Sequence, residues 1–468
     1  MRNMHSPWNR TDKVRRTLGY PIIALLIALL IGPLGSVVAL GPLESTPAQA
    51  GSPWPDTPTV LASDRGYGAG PPQISMDAQG RYHVVWAENT PGGGTALYYT
   101  RTLDDPASWS APEVVFSETG DARLWLAPAV AIDSTGTMHV IILHTEADGT
   151  RSLRYLSHQT DQTGPDAWQG PQTVYTLQAT GDALSEMFAP RMAVDSQNTL
   201  HLVWLDEMAG EDTSEALTQV FYGRQTAEGN WTEPELLDAA TDQAMLAWPD
   251  VAYTPDNRLH VVYVRQTDAY GPADLWYTAK GLDETEWSLS TDLTDSSVWQ
   301  GAVGPVSIAA DRQGTLHVTG MKTTSGQMAV LLMTRAAQAD EWGMPEVVTP
   351  LEGDAVTEIR PAIATDAQGA VHIAYEHERA DGSYDILYAR KQGSNWIEQH
   401  SVSHPVQAWR SYSPDLVTAT DGPAGVAGKA QVVWYTSKPE TGTIDVYTIG
   451  NTYGNVAPVM LPVLARGY

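Results

Sequence analysis

The chain has 468 residues, with 27 Lys plus Arg against 55 Asp plus Glu, a formal charge of −28, and no cysteine. With 42% hydrophobic residues it holds enough apolar material for a sizeable core, which excludes wholesale disorder. The charge leaves no basic footprint for nucleic acid, and the missing thiols exclude disulfides, thiolate nucleophiles and Cys-ligated metal sites.

Residues 1–20 carry Arg2, Arg10, Lys13, Arg15 and Arg16; the apolar run Pro21 to Ile31 follows, and then Ala48-Gln49-Ala50. Basic, apolar, then small is the order of a secretory signal peptide, so residues 1–50 are expected to be removed. The stretch from Pro21 to Leu40 is also long enough to span a bilayer, although Gly32-Pro33 interrupts it, and a retained membrane anchor is the alternative. Without residues 1–50 the chain keeps 22 basic and 53 acidic groups, a charge of −31. No later apolar run is long enough to cross a membrane, so the mature protein is expected outside the cell, tethered at most by one end.

From residue 72 onward one pattern recurs. PQISMDAQGRYHVVW (72–86), PAVAIDSTGTMHVII (128–142), PRMAVDSQNTLHLVW (190–204), PDVAYTPDNRLHVVY (249–263), VSIAADRQGTLHVTG (306–320) and PAIATDAQGAVHIAY (361–375) are six copies. A weaker seventh runs from Pro414 to QVVWY at 431–435, with Gln431 at the place of the histidine. From His83 to Gln431 is 348 residues in six steps, a period of 58. Each copy alternates at period two, turns at D-x-x-G, and alternates again, which predicts an antiparallel hairpin. Asp77, Asp133, Asp195, Asp311 and Asp366 are placed to bond the backbone two residues on. Gly80, Gly136, Asn198, Asn257, Gly314 and Gly369 are residue types that accept positive φ.

A third strand is predicted at Leu97-Tyr98-Tyr99, Val220-Phe221-Tyr222, Leu275-Trp276-Tyr277 and Ile386-Leu387-Tyr388. A fourth follows a tryptophan: W-x-x-P at Trp109, Trp168, Trp231 and Trp342, with looser versions at Trp287 and Trp396. Four short strands per repeat, with no helix between them, make a propeller blade. The seventh copy stops after Asp445-Val446-Tyr447. Its missing piece is supplied by Trp54, Pro58 and Thr59-Val60-Leu61, which match Trp109, Pro112 and Glu113-Val114-Val115. The expectation is an all-β, seven-bladed β-propeller over 51–450, closed by its N-terminal strand, with a C-terminal tail at 451–468. Closure removes exposed sheet edges. The lopsided aromatic usage, 16 Trp and 20 Tyr against 3 Phe, is largely the product of this repetition, because rings with a polar edge suit repeated, half-exposed packing.

Six of the twelve histidines occupy one blade position: His83, His139, His201, His260, His317 and His372. Spread over separate blades they cannot ligate one ion, since tetrahedral ligation needs three or four donors within about 2 Å of the metal. They are expected to bond their own hairpin or a neighbour, and the W-x-x-P tryptophans to pack between blades. Function is sought where repeats differ, in the connections entering each first strand. The candidate ligand-binding residues are Arg123, Trp125, Phe188, Arg191, Trp248, Trp299, Arg360, Trp409, Arg410 and Tyr412, and the candidates for catalysis are Glu358, Tyr412 and Glu376. Aromatic faces stack on the C–H faces of sugars, carboxylates and guanidinium groups bond hydroxyls, and Arg forks pair with sugar carboxylates. The bland alternative is a solvated rim. The acidic loop from Asp206 to Glu215 has the residue types for calcium but not the spacing of a calcium loop, so no metal or other cofactor is required.

The repeat P-x-I-A-x-D-x-x-G-x-x-H-V-V-W, with L-Y-Y-x-R and W-x-x-P, resembles that of bacterial secreted propellers of the sialidase-like (BNR, or Asp-box-related) superfamily, over about residues 54–450. The resemblance implies the fold. True sialidases have six blades, S-x-D-x-G-x-T-W Asp-boxes, an arginine triad, a Tyr–Glu nucleophile pair and an Asp acid/base. No Asp-box or R-I-P-type arginine motif occurs here, so no catalytic residue carries over by motif. Arg123, Arg360, Arg410, Tyr412 and Glu358 share only the chemistry. Three functions stay open: a secreted, monomeric propeller binding a glycan or cell-surface ligand without catalysis, which is favoured; a sialidase-like glycoside hydrolase; and a protein-interaction scaffold. No G-x-S-x-G, H-E-x-x-H, Walker or dinucleotide motif offers another chemistry.

Overall fold

The computed structural model describes residues 54–453 apart from internal stretches, the longest being 104–107, 181–188, 210–215, 241–244, 267–272, 295–303, 350–359, 404–408 and 419–427. The expected signal peptide and nearly all of the expected tail lie outside the described residues. Among the described residues the regular elements are β-strands, in four four-stranded sheets, one five-stranded and one eight-stranded sheet. Each four-stranded sheet is one sequence repeat, as in repeat 1 with Gln73–Met76, Tyr82–Asn89, Thr95–Arg101 and Glu113–Glu118. The five-stranded sheet is repeat 2, where Arg123–Leu124 and Ala129–Ile132 both pair with Thr137–Thr145. The eight-stranded sheet contains repeats 6 and 7, joined by a parallel pairing of Tyr384 with Arg410. This is an all-β, propeller-type architecture.

The hairpins form as the turn chemistry predicts. Gly80, Gly136, Asn198, Asn257, Gly314 and Gly369 all adopt positive φ, between 60° and 85°. The turn aspartates accept the backbone N–H two residues on, as Asp77 does from Gln79 at 3.0 Å and Asp366 from Gln368 at 2.9 Å. The second strand of each repeat is buried on both faces, which explains why H-V-V-W is almost continuously apolar instead of alternating.

Neighbouring repeats are fastened by aromatic pairs. The tryptophan before a fourth strand sets its ring against a tyrosine of the preceding repeat: Trp168 on Tyr99 at 5.3 Å, Trp231 on Tyr155 at 6.0 Å, Trp287 on Tyr222 at 5.0 Å and Trp342 on Tyr277 at 5.5 Å, all edge to face. Trp54 makes the same contact with Tyr388 at 4.7 Å, and Thr59–Arg65 pairs antiparallel with Thr443–Tyr453. The N-terminal segment is therefore the outermost strand of the last repeat. The first strands of successive repeats pack against one another in order, and Arg410–Thr418 of repeat 7 returns to Gln73–Met76 of repeat 1. A mixed cluster of Ile74, Val84 and Trp86 with Val433 and Val446 fills that last junction.

Candidate functional site

The sheets have two ends with different chemistry. At the turn end the histidines are structural. His83 Nε2 lies 3.2 Å from Asp77 Oδ2 and Nδ1 lies 2.8 Å from the Tyr99 hydroxyl; repeats 2, 3 and 6 repeat the arrangement with His139, His201 and His372. A carboxylate only accepts, so Nε2–H donates to the aspartate and Nδ1 accepts from the tyrosine. Burial pushes these histidines below their usual range and Tyr99, Tyr155 and Tyr222 above theirs, which keeps both partners neutral. Asp77, which burial would raise, is held well below the carboxylate range by hydrogen bonds from His83 and Arg81. Among the described residues no three His, Asp or Glu side chains are grouped to hold a metal ion.

At the other end, where first strands begin and second strands finish, the repeats converge on a common cavity. The residue before the first position of each repeat, a position that is proline in every repeat but the fifth, lines it: Pro71, Ala127, Ala189, Trp248, Pro305, Arg360 and Ser413. The next but one position adds Gln73, Arg191, Ser307 and Asp415. Its space is about 100 Å³, well under the roughly 300 Å³ of a typical ligand pocket, so it accommodates waters or the tip of a ligand.

Two aspartates close this ring. Asp250 accepts from the Ile308 N–H and Ser307 hydroxyl of repeat 5, both at 2.9 Å, and Asp415 accepts from the Ile74 N–H of repeat 1 at 2.9 Å. Each follows a proline, and the residue before that proline, Trp248 or Ser413, takes positive φ of 49° or 48°. Residues before proline favour extended backbone, so this conformation costs about 1–3 kcal/mol at each. The strands break register at the same points. Burial pushes both carboxyls up, Asp415 to about 6, against the opposing pull of the Arg191 guanidinium.

Beside the cavity, repeats 6 and 7 build a wall. Arg360 Nη1 donates to Glu376 Oε1 at 3.2 Å, and the Ser413 N–H donates to the same oxygen at 2.7 Å. Glu376 is fully buried. It occupies a place that is Ala87, Leu143, Leu205, Val264, Met321 or Tyr435 in the other repeats, so Arg360 and Glu376 depart from the pattern together. Three tyrosines continue outward: Tyr384 and Tyr412 are 5.2 Å apart and Tyr412 and Tyr435 5.6 Å. The exposed Arg410 guanidinium stands 5.9 Å from the Tyr384 ring. Trp409 carries the Lys438 ammonium 4.7 Å above its ring and donates from Nε1 to Glu440 at 2.5 Å. Burial, with Tyr384 and Glu376 nearby, raises the Tyr412 hydroxyl despite Arg410, so it is a neutral phenol. Flat faces, hydroxyls and guanidinium groups at one place can stack on a ring and bond its substituents.

The structure thus brings Arg360, Glu376, Arg410 and Tyr412 together, sets the Trp409 ring beside them against Lys438 and Glu440, and places Arg191 and Trp248 at the cavity. Trp125, Phe188, Trp299 and Glu358 lie outside the described residues, as does the side chain of Arg123. Other rim charges are spent on ion pairs: Glu146 with Arg154 inside repeat 2, and Asp238 of repeat 3 with Arg265 of repeat 4 at 3.1 Å. Asp250, Ser307, Ser413, Asp415, Tyr384 and Tyr435 were not among the sequence candidates. Superposing the repeats on their prolines would have singled out Asp250 and Asp415, which share one repeat position with Arg191.

No protein-family model matches the chain, and no curated protein matches it. Solved structures do share its fold. A polysaccharide lyase of family 25, an ulvan lyase, aligns over 85% of this chain and 97% of its own at 12% identity, with a TM-score of 0.55. A protein of unknown function from Dyadobacter fermentans aligns over 72% of this chain and 97% of its own, also at 12% identity, with a TM-score of 0.50. At such identities the likeness extends to the fold.

Proposed function

We propose that the chain is an exported, seven-bladed propeller that binds a glycan at the entering end of its sheets, through the wall made by repeats 6 and 7. The observation that carries this is the convergence of Arg410, Tyr412, Tyr384 and Tyr435 on one surface beside the axial cavity, with Trp409 flanking them next to Arg410 in the chain. The blade count rests on seven sequence repeats, on first strands that pack in cyclic order, and on the strand pairing of Thr59–Arg65. Export rests on the basic, apolar and small pattern of residues 1–50. One structure with this fold is an enzyme that acts on a polysaccharide; the sugar reading for this chain is founded on the wall itself.

Binding without catalysis is the reading we favour, because the carboxyls near the wall are committed. Glu376 Oε1 serves Ser413 and Arg360, and Asp250 and Asp415 clasp adjacent repeats. A retaining glycosidase needs two carboxyls roughly 5–5.5 Å apart around the scissile bond, or an activated substitute for one of them. Tyr412 with its raised hydroxyl is a poor nucleophile. One observation favours hydrolysis as the second reading: a tyrosine, a buried glutamate and an arginine share the wall. A glycan array with wild type and Trp409→Ala, run beside a panel of fluorogenic glycosides, separates the two. Binding that Trp409→Ala loses, with no glycoside turned over, supports the lectin-like reading; turnover that Tyr412→Phe abolishes replaces it with the hydrolase.

A further inference from the structure

Repeat 5 breaks the pattern at the turn end, away from the wall. Strand register places Tyr99, Tyr155, Tyr222, Tyr277 and Tyr388 opposite the residue two beyond each histidine; in repeat 5 the same register brings Leu332 opposite Thr319. The phenol that elsewhere reaches the histidine is missing. His317 Nδ1 turns instead to the Thr334 hydroxyl at 3.1 Å, and His317 Nε2 stands 4.0 Å from Asp311, beyond hydrogen-bond reach. His317 is only 6% exposed, and its Nε2 is buried without a hydrogen-bond partner. Trp396, the tryptophan that would meet the absent ring, has Lys391 5.8 Å over its face, and Lys391 pairs with Glu346. Between these groups lies a cavity of about 270 Å³, lined by His317, Asp311, Thr334, Met344, Val371 and Lys391 among others.

We propose that this cavity between repeats 5 and 6 is a binding site for a small phenol, seated where the sister interfaces carry their own tyrosine ring. The volume suffices, since an apolar cavity of about 150 Å³ takes up benzene. The walls match the chemistry as well. Met344 and Val371 offer apolar surface, and Lys391 stands where Lys280 lies 6.0 Å from the Tyr222 ring in the sister interface. Thr334, His317 and Asp311 give the hydroxyl a donor and an acceptor. The site needs neither the wall of repeats 6 and 7 nor any sugar, so it stands independently of the glycan reading.

Calorimetric titration of the full chain with p-cresol tests it, with toluene as the ring lacking a hydroxyl and glucose as hydroxyls lacking an aromatic ring. One saturable p-cresol site is expected, about tenfold tighter than toluene, as one net hydrogen bond would give. Leu332→Tyr should fill the cavity from within, abolish that binding and raise the melting temperature. Thr334→Val should weaken p-cresol about tenfold and leave toluene unchanged. Absence of saturable p-cresol binding at millimolar concentration overturns the proposal. So does equal affinity for toluene, displacement of p-cresol by glucose, or undiminished p-cresol binding in folded Leu332→Tyr.

Discussion

The two ends of the sheets obey opposite rules. At the turn end the same residues return in repeat after repeat, Asp77-His83-Tyr99 and Trp168 in one junction, Asp133-His139-Tyr155 and Trp231 in the next. At the entering end the corresponding positions carry Trp248, Arg360 and Ser413 in turn. Chemistry that recurs in most repeats serves a need they share, which is to join a sheet to its neighbour. A ligand contacts only some repeats, so its residues have to differ from repeat to repeat. Repetition in this protein therefore marks structure, and departure from repetition marks the places where function can reside.

The strongest way to break this contrast is to remove a residue of the repeating kind. Trp54→Ala deletes the ring that seals the last junction against Tyr388 and its hydrogen bond to Glu398 at 2.8 Å. A loss of about 4 kcal/mol is expected by urea denaturation, in line with large-to-small core changes, with glycan affinity intact in the folded fraction. A loss under about 1 kcal/mol would mean that the N-terminal segment does not act as the closing strand.

The Arg360–Glu376 pair tests the contrast from the other side, because it departs from the pattern yet is also structural. Arg360→Ala leaves a fully buried carboxylate without its guanidinium, and about 3 kcal/mol of stability should go. Changing Glu376 to Leu as well, the residue type of Leu143 and Leu205, should restore most of it, since an apolar replacement of a buried pair is often neutral. If the double variant is as unstable as the single one, the pair is not the unit that the geometry implies.

Much of the fold was legible in the sequence, because a repeat of 58 residues displays its turns, its second strands and its tryptophans several times over. Trp54 was recognisable as a blade tryptophan for that reason. The site was legible by residue type but not by grouping. Arg360, Arg410 and Tyr412 were candidates, yet nothing local in the sequence says that Tyr384 and Tyr435 stand beside Tyr412 or that Ser413 caps Glu376. The contacts of Tyr384 with Tyr412 and of Ser413 with Glu376 cross from one repeat to the next, where spacing along the chain carries no information. The Tyr412–Tyr435 contact sits at the broken register of repeat 7. Leu332 was illegible in another way: it is an ordinary strand residue until register shows that its sisters are tyrosines.

Asp415 sharpens the contrast through pH. Burial holds its carboxyl up at about 6, beside Asp250 and opposed by Arg191, whereas an unfolded aspartate titrates near ~3.9. Between those values the native state binds a proton that the unfolded state lacks. This stabilising contribution is complete below about pH 4 and is lost as pH rises through about 6. Asp385, also raised to about 6, adds a slope of the same sign. Asp415→Asn should therefore flatten only part of the dependence, by about 2 kcal/mol between pH 4 and 7 in chemical denaturation. An unchanged slope would assign the whole effect to other groups.

The smallest effect on stability should come with the clearest effect on binding. Trp409 is half-buried, its ring under the Lys438 ammonium and its Nε1 on Glu440, so Trp409→Ala should cost no more than about 1 kcal/mol of stability. A stacking platform lost from a sugar site weakens affinity by about tenfold or more, or roughly 1.4 kcal/mol. Trp168→Ala supplies the matched control, because it removes a ring of the same kind from the repeating end. It should lower stability by several-fold more than Trp409→Ala and leave affinity for the array-identified glycan unchanged. Should the two variants exchange these effects, departure from the repeat would no longer locate the ligand, and the search would move to the tryptophans that every junction shares.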